Sequence, residues 1–415
     1  MRILIVTSRR AIVGGVETYL RELLPALAER GYALALLYEH DAQLGQPTID
    51  DGIAEMPRWR VDDAAYAEAS AWQPDLCFVN GLDSPQAEEE LLRRFPCVMF
   101  AHNYHGTCVS GAKCCAFPRA QPCERVFGAA CLGWYLPRRC GGLNALTMMR
   151  QYRIERRRLD LLPRYRAILV ASQHMRAEYA RHGAAPERLH VVPLFPPGVT
   201  PDREWAANSP SQGRVLLAGR LAKLKGGRYL VAALAEASRM LKRTLTLVVA
   251  GDGPERTRLE RMAQRLNVPA EFHGWVDRPA MVRLMRSADL LAVPSIWPEP
   301  FGLVGLEAAC VGLPAAGFAV GGITDWLQPG ETGELAPGNP PTVAGLADAI
   351  VRALADPERL EQLRKGAWRR AALFTQDRHV ALLESVWRDA VPHSEFCCAG
   401  ESGPSRRSVF ATGSP

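Results

Sequence analysis

The sequence predicts an α/β protein with two doubly wound parallel sheets, and three observations carry that reading. Two stretches each open with a short apolar strand, a glycine-bearing turn and a helical apolar period. The first is Arg2 to Thr7, Gly14-Gly15, then Leu20, Leu23, Leu24 and Leu27; the second is Arg214 to Ala218, Gly219 to Gly227, then Leu230, Ala233 and Leu234. Further short apolar runs follow each opening: Ala33 to Tyr38, Asp75 to Val79, Cys97 to Ala101, Ala167 to Ala171 and Leu189 to Val192, then Leu245 to Ala250, Asp289 to Val293 and Pro314 to Phe318. Between the halves, Pro193-Leu194-Phe195-Pro196-Pro197-Gly198 and a polar run to Gln212 have the composition of a linker. These place one unit at 1–196 and a second at 197–376, with a last periodic helix at about 377–391. Residues 392–415, mostly small, polar and basic, have too little apolar content to pack and are expected to be disordered.

Composition bounds the function. With 415 residues, 48% of them hydrophobic, the chain can bury two cores, and a mean hydropathy of −0.09 places it among soluble globular proteins. No apolar run approaches the ~20 residues that span a bilayer, and Met1 to Val6 reads as a buried strand rather than a signal peptide, so a cytoplasmic location is expected. A net charge of +6 is mild for this length and argues against nucleic acid as a partner. Seven arginines between Arg150 and Arg166, interleaved with Ile154, Leu159, Leu161 and Leu162, form either a solvated helix face or a peripheral contact with an anionic membrane.

Two motifs carry chemistry. In Pro298-Glu299-Pro300-Phe301-Gly302-Leu303-Val304-Gly305-Leu306-Glu307 the prolines keep Glu299 in a loop, while Phe301 to Val311 can form a helix closed by Gly312 and Pro314. The free amides of that helix would face the crevice where doubly wound sheets bind ligands. Glu299 can accept sugar hydroxyls, and Glu307, over a turn into the helix, the two hydroxyls of a ribose. In Gly219-Arg220-Leu221-Ala222-Lys223-Leu224-Lys225-Gly226-Gly227, Arg220 can grip two phosphate oxygens in a fork, and Lys225 or its neighbour Lys223 can neutralise another.

Arg220, Lys225, the Gly251-Asp252-Gly253 turn, Phe272-His273-Gly274-Trp275-Val276, the spaced glutamates and Gly321-Gly322 come in an order that resembles glycosyltransferase family 4. The resemblance covers nearly all of residues 1–390. It implies a GT-B fold, two facing Rossmann-like domains, with acceptor on the first half, donor on the second and the last helix packed back on the first. It implies a retaining hexosyltransferase that uses a nucleotide-diphosphate sugar, acting on a glycan or lipid-linked acceptor in cell-surface polysaccharide or glycoconjugate synthesis. Arg220 and Lys225, favoured over Lys223 by the resemblance, would then hold the diphosphate, Glu299 the sugar, Glu307 the ribose, and backbone near His273 and Gly274 the base; Phe301, Gly302 and Leu303 complete the donor site. No cofactor is required for catalysis, since Arg220, Lys225 and the helix amides can neutralise the leaving group and no Asp-x-Asp metal motif is present in the second half. Thr324-Asp325 departs from the family pattern of proline and glutamate. The alternatives are a nucleotide-sugar epimerase and a non-catalytic nucleotide-sugar-binding protein.

In the first half, Gly14-Gly15-Val16-Glu17 resembles the family's glycine loop, and His102, at the end of the strand Cys97 to Ala101, matches a histidine turned toward the donor sugar. Six cysteines follow within an irregular insertion at about 103–143: Cys108, Cys114, Cys115, Cys123, Cys131 and Cys140. They are read as structural metal ligands, disulfides or free thiols, and no Cys-x-x-Cys pair decides among the three.

Overall fold

A computed structural model describes residues 1–53, 55–201 and 212–391. The expected disordered tail, and most of the polar run after Gly198, lie outside the described residues. The chain forms two parallel sheets. The seven-stranded sheet runs, edge to edge, Arg58–Arg60, Ala33–His40, Arg2–Arg9, Leu76–Val79, Cys97–Ala101, Ala167–Val170 and Leu189–Val191. The six-stranded sheet runs Ala270–Phe272, Thr246–Ala250, Arg214–Ala218, Leu290–Val293, Ala315–Ala319 and Gly333–Pro337. The inner strands are apolar and buried along nearly their whole length, as strands must be when helices cover both faces.

The order within each sheet fixes where a ligand can enter. Arg2–Arg9 lies between Ala33–His40 and Leu76–Val79, and Arg214–Ala218 between Thr246–Ala250 and Leu290–Val293. The chain winds outward from both central strands in opposite directions, which opens a crevice at their carboxyl ends.

The helix Gln376–Ala390 lies against the first sheet. Its Trp387 packs edge-on to Phe78, with ring centres 5.1 Å apart, and its His379 Nε2 meets Tyr19 Oη at 2.8 Å. Arg30 pairs with Asp377 at 2.6 Å. The insertion is more ordered than its sequence suggests: Cys114–Cys115 pairs antiparallel with Gln121–Pro122, and Ala130–Arg138 is helical. Val109, Phe127, Tyr135 and Met148 supply a small core of their own. Among the described residues no helix is long and apolar enough to cross a membrane.

Candidate active site

A cavity of about 410 Å³ lies between the two sheets. Arg220, Lys225, Glu299, Phe301, Gly302 and Leu303 line it from the second half, and Gly15 and His102 from the first. Residues separated by up to 288 positions therefore share one wall. Gly14, His273, Gly274 and Glu307 are not among the lining residues.

Two loops at the carboxyl ends of neighbouring strands build the charged part. Ile296 N–H donates to Leu224 O at 2.9 Å, tying the loop after Leu290–Val293 to the loop after Arg214–Ala218. Gly226 permits the approach: its φ is +71°, and a Cβ there would sit 1.8 Å from Pro294 O. Lys225 Nζ consequently reaches Glu299 Oε1 at 2.6 Å and lies 5.4 Å from the Trp297 ring centre. Ser295 Oγ–H donates to the same Oε1 at 2.6 Å. Among the described residues nothing bonds Oε2, so the buried Glu299 keeps one oxygen for a ligand. Lys225 uses one of its three donors on Glu299. Arg220 is exposed at the cavity, and none of the described residues pairs with its guanidinium.

The helix expected over Phe301 to Val311 runs Leu303–Cys310, because Gly302 takes φ +87° and holds the chain out of helix until Leu303. Its first turn contributes Leu303 and Val304 to the cavity wall. Glu307, one turn further on, is half-buried; desolvation pushes its carboxyl above the usual range, while Arg278 pulls it down. The backbone at 273–274 is partly committed, since Gly274 O accepts from Gly251 N–H at 2.7 Å and His273 N–H donates to Val249 O at 2.9 Å.

From the first half, His102 stacks on Phe100 with ring centres 4.6 Å apart. Asn80 Nδ2 donates to Phe78 O at 3.2 Å, which leaves Asn80 Oδ1 to accept from His102 Nε2–H at 3.0 Å. Burial, helped by the charge of His379, holds the imidazole down to about 3. His102 is therefore neutral, with its proton on Nε2, and can only accept at Nδ1.

Several contributors have no local sequence signal. Tyr104, fully buried in the first half, donates from its hydroxyl to Pro298 O at 2.6 Å, and Ser172 Oγ–H donates to Pro300 O at 2.7 Å. Both carbonyls that flank Glu299 are thus clamped from across the crevice. Asp325, the departure from the family pattern, accepts from Gln173 N–H at 2.8 Å and joins this cross-lobe set. We expect Tyr104→Phe with Ser172→Ala to lower turnover by about tenfold, since each hydroxyl contributes about 1 kcal/mol to loop placement, and to lower the melting temperature as well, because Ser172 Oγ also caps the helix Gln173–Arg181 by accepting from Met175 N–H at 3.2 Å. Unchanged turnover in the double variant would show that the loop holds itself.

The six insertion thiols are unbridged, and no three of them bring their sulfurs within 4.8 Å of one another among the described residues. The trio that meets that distance is Glu39, His40 and Asp83, where Glu39 already accepts the amides of Asp83 and Ser84. The 150–166 arginines are largely spent on the body of the protein: Arg156 pairs with Asp160, Arg157 and Arg164 with Glu89, and buried Arg158 with Glu155 and Glu88. Leu161 and Leu162 are buried in the core.

Two facing parallel-sheet lobes around a crevice with an arginine, a lysine and a buried glutamate define a glycosyltransferase of the GT-B class. Comparison with known proteins agrees. Residues 13–203 match the family described as Glycosyltransferase Family 4, and residues 202–370 that described as Glycosyl transferases group 1. The chain belongs to the family-4 glycosyltransferases. It is 34% identical over 242 residues to D-inositol 3-phosphate glycosyltransferase 1 of Catenulispora acidiphila, covering 54% of this chain and 57% of that protein. It is 36% identical over 228 residues to the enzyme of that name from Acidothermus cellulolyticus, covering 51% and 50%. The match thus spans little more than half the length of these curated relatives. Among solved structures, sucrose-phosphate synthase from Thermosynechococcus elongatus superposes with a TM-score of 0.68 at 23% identity, covering 94% of this chain and 98% of that one. Anabaena HepE in complex with UDP-glucose gives 0.65 at 18% identity, covering 93% and 99%.

Proposed function

We propose that the protein transfers a hexosyl group, with retention of anomeric configuration, from a nucleoside-diphosphate sugar to a glycan or lipid-linked acceptor in cell-surface polysaccharide or glycoconjugate synthesis. The observation that carries this is the Lys225–Glu299 pair at 2.6 Å beside Arg220, which pairs with none of the described residues, on a cavity completed by His102 and Gly15. Arg220 and the second and third donors of Lys225 would neutralise the diphosphate as it leaves, and Glu299 Oε2 would accept sugar hydroxyls. Glu307 would take the ribose, and the backbone near His273 and Gly274 the base. His102 Nδ1 would accept a hydrogen bond from the sugar. In this reading residues 1–196 hold the acceptor and 197–376 the donor.

The first-half wall offers no carboxylate to serve as a nucleophile; Glu299, on the second half, is already bonded to Lys225 and Ser295. We therefore favour an internal-return route. The anomeric carbon–phosphate oxygen bond breaks, the acceptor oxygen bonds to the anomeric carbon from the same face, and the acceptor proton passes to the departing phosphate oxygen. The chain's own cations and amides stabilise that step, and the reading requires no cofactor.

The test is a panel of nucleoside-diphosphate sugars incubated with the purified protein and candidate acceptors, followed by nucleotide release and by NMR of the product anomer. Acceptor-dependent release with the donor's configuration preserved is expected. An inverted product would overturn retention, an epimerised donor without acceptor would assign an epimerase, and binding without turnover would assign a non-catalytic protein.

A further inference from the structure

The chain's excess positive charge is concentrated in one segment. Residues 103–154 contain Lys113, Arg119, Arg125, Arg138, Arg139, Arg150 and Arg153 against a single acid, Glu124. The whole chain has 50 basic and 44 acidic residues, so everything outside this segment balances at 43 of each. Lys113 is buried and paired with Glu178. The six arginines are at least partly exposed, and none forms an ion pair among the described residues, in contrast to Arg156, Arg157, Arg158 and Arg164 just beyond them.

The same segment bears large exposed apolar side chains: Leu146 at 82%, Leu143 at 67%, Val126 at 54%, Phe117 at 48% and Trp134 at 38% of full exposure. They interleave with the arginines. Arg125 and Arg138 lie over Trp134 at 4.2 and 5.3 Å, and Arg139 lies over Phe117 at 5.1 Å. Phe117 N–H also donates to Arg138 O, and Cys140 Sγ contacts Trp134 O just before Leu143. Exposed apolar groups cost free energy in water, and unpaired arginines seek anions. A surface that gathers both is suited to a partner with an apolar interior under an anionic face.

We propose that this surface docks on an anionic phospholipid bilayer, with Leu143, Leu146, Phe117 and Trp134 entering the headgroup region and the arginines on lipid phosphates. The docking face is on the insertion that touches the Glu299 loop, through Tyr104 Oη on Pro298 O and Cys114 Sγ on Ile296 O at 3.8 Å. Docking there would bring the crevice to a lipid-linked acceptor. That last step rests on the proposed function; the docking does not.

The experiment is co-sedimentation of the full chain with vesicles of phosphatidylcholine alone or with about 30 mol % phosphatidylglycerol. Binding to the anionic vesicles should exceed that to the neutral ones by about tenfold or more and weaken as salt rises from about 0.1 to 0.5 M. Arg138→Glu with Arg139→Glu, and separately Leu143→Ser with Leu146→Ser, should each reduce it by about tenfold, with melting curves and nucleotide release from a water-soluble acceptor unchanged. Arg156→Gln with Arg164→Gln should change it by less than about twofold, because those charges are already paired. Equal binding to both vesicle types, or full binding by both patch variants, would overturn the proposal. Binding to soluble heparin with no contribution from the leucine pair would do so too, and would assign the patch to a polyanionic chain. Vesicle binding without any glycosyl transfer would leave the docking standing and refute the reaction.

Discussion

Glu299→Gln should lower turnover by about 10²-fold or more while leaving the fold in place. The side chain is buried, and its Oε1 takes both the Lys225 ammonium at 2.6 Å and the Ser295 hydroxyl at 2.6 Å. The amide keeps the shape but removes the charge that orients Lys225. Lys225→Ala should be no more active, and it has a second consequence: it leaves Glu299 buried with Ser295 alone. A stranded buried carboxylate costs stability, here about 1–3 kcal/mol given that Lys225 itself is half-exposed. The double variant Lys225→Ala, Glu299→Gln should recover most of that stability and none of the turnover. Chemical denaturation alongside single-turnover nucleotide release checks both halves of this expectation. Normal turnover in Glu299→Gln, or a double variant less stable than Lys225→Ala, would show that the pair does not do what its geometry implies.

The inner strands were legible in the sequence because they are buried on both faces and read as continuous apolar runs. Of the edge strands, Leu189–Val191 was legible as well, but the other three were not. Arg58–Arg60 and Ala270–Phe272 are three residues each, partly exposed and interrupted by charge, and Gly333–Pro337 begins with a glycine and contains Glu334. Their pairing depends on a neighbour already in place. The candidate site divides in the same way. Arg220 and Glu299 stand out because each lies in the loop after a buried strand, closed by glycine or proline, and Lys225 is preferred to Lys223 on the family resemblance. Ser295 could have been found, since it is the polar residue between that strand and Glu299. Tyr104 and Ser172 could not: they act 194 and 128 positions away, on backbone carbonyls that carry no residue-specific signature. The arginines of 150–166 show the converse limit. Their spacing marks a cationic helix, but the acids that neutralise several of them come from Glu88 and Glu89, on another helix.

Stability should fall steeply as pH drops from about 7 to 5, because several histidines are held neutral, His182 and His379 buried and His102, His105 and His174 half-buried. Desolvation holds His102 and His105 down to about 3, and His174, His182 and His379 to about 4. Hydrogen bonds give two of these a physical basis. His182 Nε2 accepts Phe127 N–H at 2.8 Å while Nδ1–H donates to Glu178 O at 2.7 Å, so a second proton would break the first bond. His379 Nδ1–H donates to Pro193 O at 2.7 Å, leaving Nε2 to accept from Tyr19 Oη–H. A histidine whose folded pKa lies below its unfolded value, about 6.5, contributes stability that is complete above 6.5 and is lost as pH falls toward the folded value. Through that window the unfolded chain binds more protons, and each fully buried imidazole removes up to about 1.4 kcal/mol per pH unit. The carboxyls of Glu88, Glu155, Glu307 and Asp325, raised by burial, act in the opposite sense and temper the loss at the acidic end. Denaturation midpoints between about pH 7.5 and 5 should therefore drop with a slope of several protons, and His182→Gln should make that slope about one proton shallower at a lower starting stability. A midpoint flat across this range would mean that these imidazoles become protonated without disturbing the fold.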